Sequence, residues 1–308
     1  YTGGDTTAYF YSGVAMKSML SVDPIEYMRQ VFLGDNSMRA LHQYAAMAMR
    51  PYEYVFTDPR TFQALRVSSV LALFTFNSYL ISTLVIASLS FLGIWACYRT
   101  FVSYFPAISG KLAIGFLYMP STIFWGSGIL KDTFTFCATC AWVHAVDEVF
   151  FKRRNIFSRV VLLVVSAMIM IKVKPYIFMV LMPATLLWLL YMRVVRLRNT
   201  LVRFVLVPVL AFGLVGLSIF ILSRMGDLLD KFALDEALGS ITNVQNDMST
   251  NANYGDYKFD VGPMDGTWVG VLKKFPVATN AALFRPYPWE VRNVVTAMSG
   301  LENLFVLG

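Results

Sequence analysis

Long apolar runs broken by short polar punctuation dominate the chain from about residue 62 onward, and their lengths exceed what a soluble core helix needs. The runs are Tyr79 to Tyr98, Leu112 to about Phe124, Ile129 to Phe151, Phe157 to Ile171, Tyr176 to Met192, Leu201 to Leu222 and Val294 onward. Several fall short of the roughly 20 residues that a bilayer crossing needs. Short runs predict tilted neighbours, a thinned slab, or helices that end around a polar cavity. The pattern predicts an all-α fold, a polytopic transmembrane helical bundle with short and broken helices and extracytoplasmic loops. Residues 1–61 are mixed and aromatic, without a spanning run, and predict an extracytoplasmic segment with amphipathic helices. Asp23-Pro-Ile-Glu26 reads there as a cap and first helical turn. The bundle is expected over 62–222, an extracytoplasmic loop over 223–292, and the start of a further transmembrane helix over 293–308. Phe62 to Phe76 is short and carries Arg66, which predicts a re-entrant or interfacial helix.

Within this pattern the stretch Pro120 to Asp132, PSTIFWGSGILKD, is the most unusual. Pro120, Gly126 and Gly128 break the helix before it, and irregular backbone at membrane depth survives only against protein or an aqueous cavity. Lys131 and Asp132 then open the next apolar run, so they are expected in the first turn of a helix, where the dipole favours a carboxylate.

Composition agrees with a membrane protein: 57% hydrophobic and 15% charged, with a mean hydropathy of +0.57. The net charge of +7 would suit nucleic acid, but its placement does not. Arg99 and Lys111, then Lys152, Arg153, Arg154 and Arg159, then Arg193, Arg196, Arg198 and Arg203 occupy alternate connections, which are cytoplasmic by the positive-inside rule. No nucleic-acid partner is therefore expected; the lipid bilayer is. Three cysteines make no disulfide framework, and Cys137 and Cys140 read as small residues packing within an apolar helix. The sequence holds no Walker motif, dinucleotide fingerprint or H-E-x-x-H. A first residue Tyr and a last run LENLFVLG predict a longer parent chain with a further helix at each end.

The same topology leaves Lys131, Lys172, Lys174 and Arg285 on the extracytoplasmic side, where nothing in the charge bias calls for cations. IKVKPY is expected as an extended turn with Lys172 and Lys174 on one side. Together the four would make an anion-binding set. Candidate carboxylates on that side are Asp5 in GGDTTAYF, Asp132, Glu290 in FRPYPWE, and Glu302, which inside the last apolar helix is expected to pair with a cation or face the cavity. Asp5 and Asp132 are the candidate catalytic bases, being orientable at an entrance.

GGDTTAYF resembles the acidic loop after an early helix in membrane polymerases and ligases of bacterial surface polysaccharide and in C-type glycosyltransferases that use polyprenyl-linked sugars. PSTIFWGSGILKD, IKVKPY and FRPYPWE resemble the same broad group. The resemblance implies a bacterial inner-membrane enzyme with a polyprenyl-linked sugar donor. Asp5 would stand for the acidic residue of the first extracytoplasmic loop, which is catalytic or metal-binding in the family. Its neighbours Gly4 and Thr6 depart from the paired acidic motif, so no cofactor is expected and a divalent metal is not required. Arg285, with Arg292 near it, would stand for the loop arginines of the polymerases. The competing expectation is a non-enzymatic subunit that meets membrane-complex partners in a secretion, motility or filament-anchoring assembly.

Overall fold

The computed structural model describes residues 4–33, 58–194, 234–250, 265–291 and 293–307, together with scattered positions between them. Among the described residues every regular element is helical, as the apolar pattern predicts. Three helices are long and apolar enough to cross a membrane, and a fourth crossing results if one bent pair is counted as a span. The chain forms two compact units, Tyr1–Thr185 and Leu186–Gly308. Much of the run Leu201 to Leu222 and residues 34–54 lie outside the described residues.

The first unit begins with a head. Helix α1 spans Asp5–Ser18 and follows Gly4, whose φ of 100° suits glycine. Helix α2 spans Pro24–Met28; the Asp23 carboxylate accepts the Glu26 N–H at 3.0 Å, the cap that Asp23-Pro-Ile-Glu26 predicts. It continues as a π-helical turn, Arg29–Leu33. Helix α3 spans Pro59–Phe74, capped by Asp58 through the Arg60 N–H at 3.2 Å. Tyr9, Phe10, Met16, Tyr27, Phe62 and Leu65 are buried together, and Ile86 and Ile129 of the bundle close the same core. Each such large apolar side chain, fully buried, contributes about 2 kcal/mol.

The bundle starts with α4, Tyr79–Tyr104, capped by Ser78. At 1.5 Å per residue its 26 residues exceed the roughly 30 Å of hydrocarbon. A 3-10 turn Pro106–Ile108, α5 (Ser109–Ala113) and a π-helical turn Ile114–Tyr118 lead to α6, Pro120–Ser127, with a 44° bend. The break falls at Met119, which is extended because the ring of Pro120 excludes the helical conformation from the residue before it. Helix α7 spans Lys131–Val146 and runs on through a π-helical turn, Asp147–Lys152. Arg153 and Asn155, both in the left-handed region, reverse the chain into α8, Ile156–Val173, and α9 follows as Pro175–Val194.

Helices α4 and α7 run parallel in a fixed register. Gly93 meets Cys137, Cys97 packs with Cys140, Thr100 Oγ1 lies 2.9 Å from His144 Nδ1, and Tyr104 Oη donates to Asp147 Oδ1 at 2.5 Å. The C-terminal ends of α4 and α7 therefore share one end of the bundle. Helix α8 returns antiparallel, with Thr139 Oγ1 3.6 Å from Met170 Sδ. The Trp142 indole N–H donates to Thr185 Oγ1 at 3.0 Å and ties in α9.

In the second unit α10 (Leu234–Thr250), α11 (Trp268–Phe284) and α12 (Val294–Leu307) are described, with a 3-10 turn at Pro288–Glu290. The stretch 223–292, expected as a loop, therefore holds two helices. Its Asn, Asp and Gly content hides the apolar face of α10 and the run WVGVLKKF that starts α11.

The α4–α7 contact sets a test. A Cβ added at Gly93 would lie 2.7 Å from Cys137 Sγ and 2.8 Å from its carbonyl oxygen, whereas one at Gly110 meets nothing within 4 Å. Gly93→Val should lower unfolding stability in detergent by about 1–3 kcal/mol, an overpacking effect. Gly110→Ala should leave the transition in place; equal behaviour of the two variants would show that the close approach is unimportant.

Candidate functional site

The broken helix and the start of α7 place two charged residues where the head meets the bundle. Leu130 is extended and α7 has no side-chain cap, so Lys131 and Asp132 begin the helix with their side chains committed elsewhere. The Lys131 ammonium donates to Thr61 Oγ1 at 2.7 Å and lies 3.6 Å from Asp58 Oδ2, while the Thr61 hydroxyl donates to the same Asp58 oxygen at 2.6 Å. On the neighbouring residue, the Asp132 carboxylate accepts a short hydrogen bond from the Lys174 ammonium. Two lysine–carboxylate pairs thus adjoin, one binding α7 to α3, the other binding it to the α8–α9 turn. The Asp132 side chain is 40% exposed and that of Lys174 19%, so the carboxylate is the accessible partner. Below them the Thr133 hydroxyl donates to the Trp125 carbonyl at 2.8 Å and fixes α6 to α7.

The N-terminus of α1 borders the same place. A Cβ at Gly128 would come 3.3 Å from Thr6 Cγ2, and Tyr79 Oη donates to Thr6 Oγ1 at 3.1 Å. Asp5, exposed in the first turn of α1, accepts the Tyr9 hydroxyl at 3.1 Å. It therefore lies one residue from the Gly128 turn that leads into Lys131.

The expected cation set divides. Lys131 pairs with Asp58 and Lys174 with Asp132, the residue next to Lys131. Lys172 does not join them: α8 stays helical through Val173, and only Lys174 leaves it, at φ −142° and ψ 78°. Lys172 is exposed in the last turn of α8, so the extended turn expected for IKVKPY is corrected to a helix end. Pro175 restricts the one residue before it and not the residues further upstream. Arg285 and Glu290 belong to the second unit and bind each other. Arg285 Nε donates to Glu290 Oε2 at 2.8 Å and Nη2 to Oε1, while the same carboxylate receives the Tyr287 N–H at 3.1 Å. This is a two-pronged pairing of a planar guanidinium with a carboxylate. Arg292 lies outside the described residues.

Sequence reading passed over Asp58 and Thr61, although Asp58-Pro59 carries the signature of a capped helix start. It also passed over a second network at the far end of α7. Asp147 is fully buried, with the Lys152 ammonium 2.6 Å from Oδ2, Glu148 3.6 Å from the same ammonium, and Ser103 Oγ accepting from it at 3.1 Å. This cluster ties the end of α7 to the end of α4. Among the described residues no group of three His, Cys, Asp or Glu side chains is arranged to hold a metal ion.

A double-mutant cycle on Asp132→Asn and Lys174→Met should give a coupling of about 1 kcal/mol in unfolding, the size expected for a partly exposed ion pair. A coupling of zero would leave the pair without a structural role.

Comparison with family models, with curated proteins and with solved structures finds no match to this chain.

Proposed function

We propose that the chain is a membrane glycosyltransferase or polysaccharide polymerase of the bacterial envelope, acting on a polyprenyl-phosphate- or polyprenyl-pyrophosphate-linked sugar at the extracytoplasmic face of the inner membrane. The observation that carries this reading is the adjoining of two lysine–carboxylate pairs at the start of α7, where the apolar bundle meets the head. A lipid-linked donor has the same division, with its phosphate at the end of its hydrocarbon.

In this reading Lys131 and Lys174 turn toward the donor phosphate, whose negative charge grows as the glycosidic bond breaks. The turn of Lys174 frees the Asp132 carboxylate, the more exposed of the pair. Asp132 accepts the proton of the acceptor hydroxyl as its oxygen bonds the anomeric carbon, and the electron pair of the broken C–O bond leaves on the phosphate. Asp5 stands beside the entrance and is the second candidate base. Lys172, exposed at the end of α8, faces headgroups or the carrier pyrophosphate; Arg285 and Glu290 are proposed as a separate contact to substrate.

Purified protein in nanodiscs supplied with a defined polyprenyl-phosphate sugar provides the test. Asp132→Asn should lower turnover by about 100-fold or more with yield retained, since a missing general base has that effect. Lys174→Ala should weaken donor binding. Full activity in Asp132→Asn, with loss of co-purifying proteins instead, would replace the enzyme by a membrane subunit of an envelope complex.

The sidedness is tested separately. In a variant lacking Cys97, Cys137 and Cys140, a cysteine at Asn155 should be shielded from an impermeant thiol reagent in intact cells, and one at Ser249 should be labelled. Labelling at Asn155 would invert the orientation and remove the donor from reach of Lys131.

A further inference from the structure

The head holds a cation that the two lysine pairs leave untouched. Arg66, near the middle of α3, is 8% exposed. Its guanidinium lies over the Phe62 ring, 5.2 Å from the centroid, and Nη1 donates to Gln63 Oε1 at 2.9 Å. The remaining two nitrogens, Nε and Nη2, are buried and have no hydrogen-bond partner. Burial pulls the guanidinium below its ordinary pKa, yet arginine keeps its proton at neutral pH. The charge therefore stays, and an uncompensated buried charge is among the most unfavourable features a fold can carry.

Which two nitrogens are unused identifies the missing partner. Nε–H and the Nη2–H beside it form the lateral edge of the guanidinium, with two parallel donors spaced for two oxygens of one anion. The chain shows the filled form of that edge elsewhere: Arg285 directs the same two nitrogens at the two oxygens of Glu290. Phe62 and Gln63 fix the plane and the opposite corner of Arg66, so its edge is set in advance. A second orphan lies on an element that packs against α3. Gln30, fully buried on the π-helical turn that packs against α3, donates to Glu26 Oε1 at 3.2 Å, while its own Oε1 has no donor. The Arg66 edge thus asks for two acceptor oxygens of one anion. A phosphate or phosphate monoester presents such a pair of oxygens and is a usual partner of the arginine fork.

We infer that Arg66 is the anchor of a phosphate-binding site in the head, taking two oxygens of a phosphate monoester, or of free phosphate, on its Nε–Nη2 edge. The site is separate from Lys131 and Lys174 and does not depend on glycosyl transfer. Thr61, which holds Lys131, and Arg66 belong to the same helix, about 7.5 Å apart along its axis.

The test is ligand-dependent thermal stability of the full chain in detergent, with chloride at equal ionic strength as the control. Inorganic phosphate and short-chain phosphatidic acid are titrated in parallel. A rise in Tm with phosphate assigns a soluble ligand, and a rise with phosphatidic acid alone assigns a lipid headgroup. In either case Arg66→Met should abolish the rise, and Arg66→Lys, which keeps the charge without the edge, should weaken the apparent affinity about tenfold or more. If Arg66→Met fails to fold, Arg66→Lys decides alone. No rise in the wild type with either probe, or an undiminished rise in either variant, overturns the site.

Discussion

An ionised side chain at the end of an apolar helix must find a counter-charge, and α7 carries a carboxylate at both ends. Asp132 takes Lys174 and Asp147 takes Lys152. Each pairing also decides a neighbour: Lys174 brings the end of α8 to the start of α7, and Asp147 brings the end of α4 through the Tyr104 hydroxyl. Between these ends the fit is steric, and Gly93 lets the backbone of α4 approach Cys137 without an intervening side chain. Position and tilt of the central helix are thus set by electrostatics at its ends and by volume at its middle. Breaking the buried Asp147 end leaves a charge that its surroundings cannot solvate, which costs more than the pair contributes, whereas the Asp132 carboxylate keeps contact with solvent.

The two ends differ in a way that bears on function. At the Asp147 end, carboxylate, ammonium, phenol and serine satisfy one another, and Asp147 is fully buried. At the Asp132 end the carboxylate is partly exposed, and the head stands beside it. The first has the character of a fastener; the second leaves a paired carboxylate open to solvent. Arg66 adds a third kind of charge, buried and oriented with its better edge unused.

The punctuation around Pro120 was legible because proline and glycine act on the backbone locally. The break at Met119 and the position of Lys131 and Asp132 in the first turn follow from those few residues. The lysine pairing in IKVKPY was not legible in the same way, since the influence of Pro175 stops at Lys174 and the helical tendency of IMIKV carries Lys172 to another face. Asp58 was hidden for a different reason: a cap and an ion-pair partner look alike in sequence, and its cation arrives from far along the chain. Asp147 and Glu148 were hidden inside an apolar run, where their pairing with Lys152 one turn later masks the charge. Arg66 stood out in sequence as an oddity in an apolar stretch, but the vacancy of one edge of its fork is a property of packing alone.

The contact between Thr6 and the Gly128 turn carries a consequence for the order of assembly. Helix α1 leaves the ribosome before the Gly128 turn that it contacts, and the head core stays open until Ile86 and Ile129 have both been delivered. Contacts so distant in sequence form late because closure of the intervening chain must come first. Helix α1 therefore docks only after much of the bundle has been made, and its apolar face needs shelter during the interval.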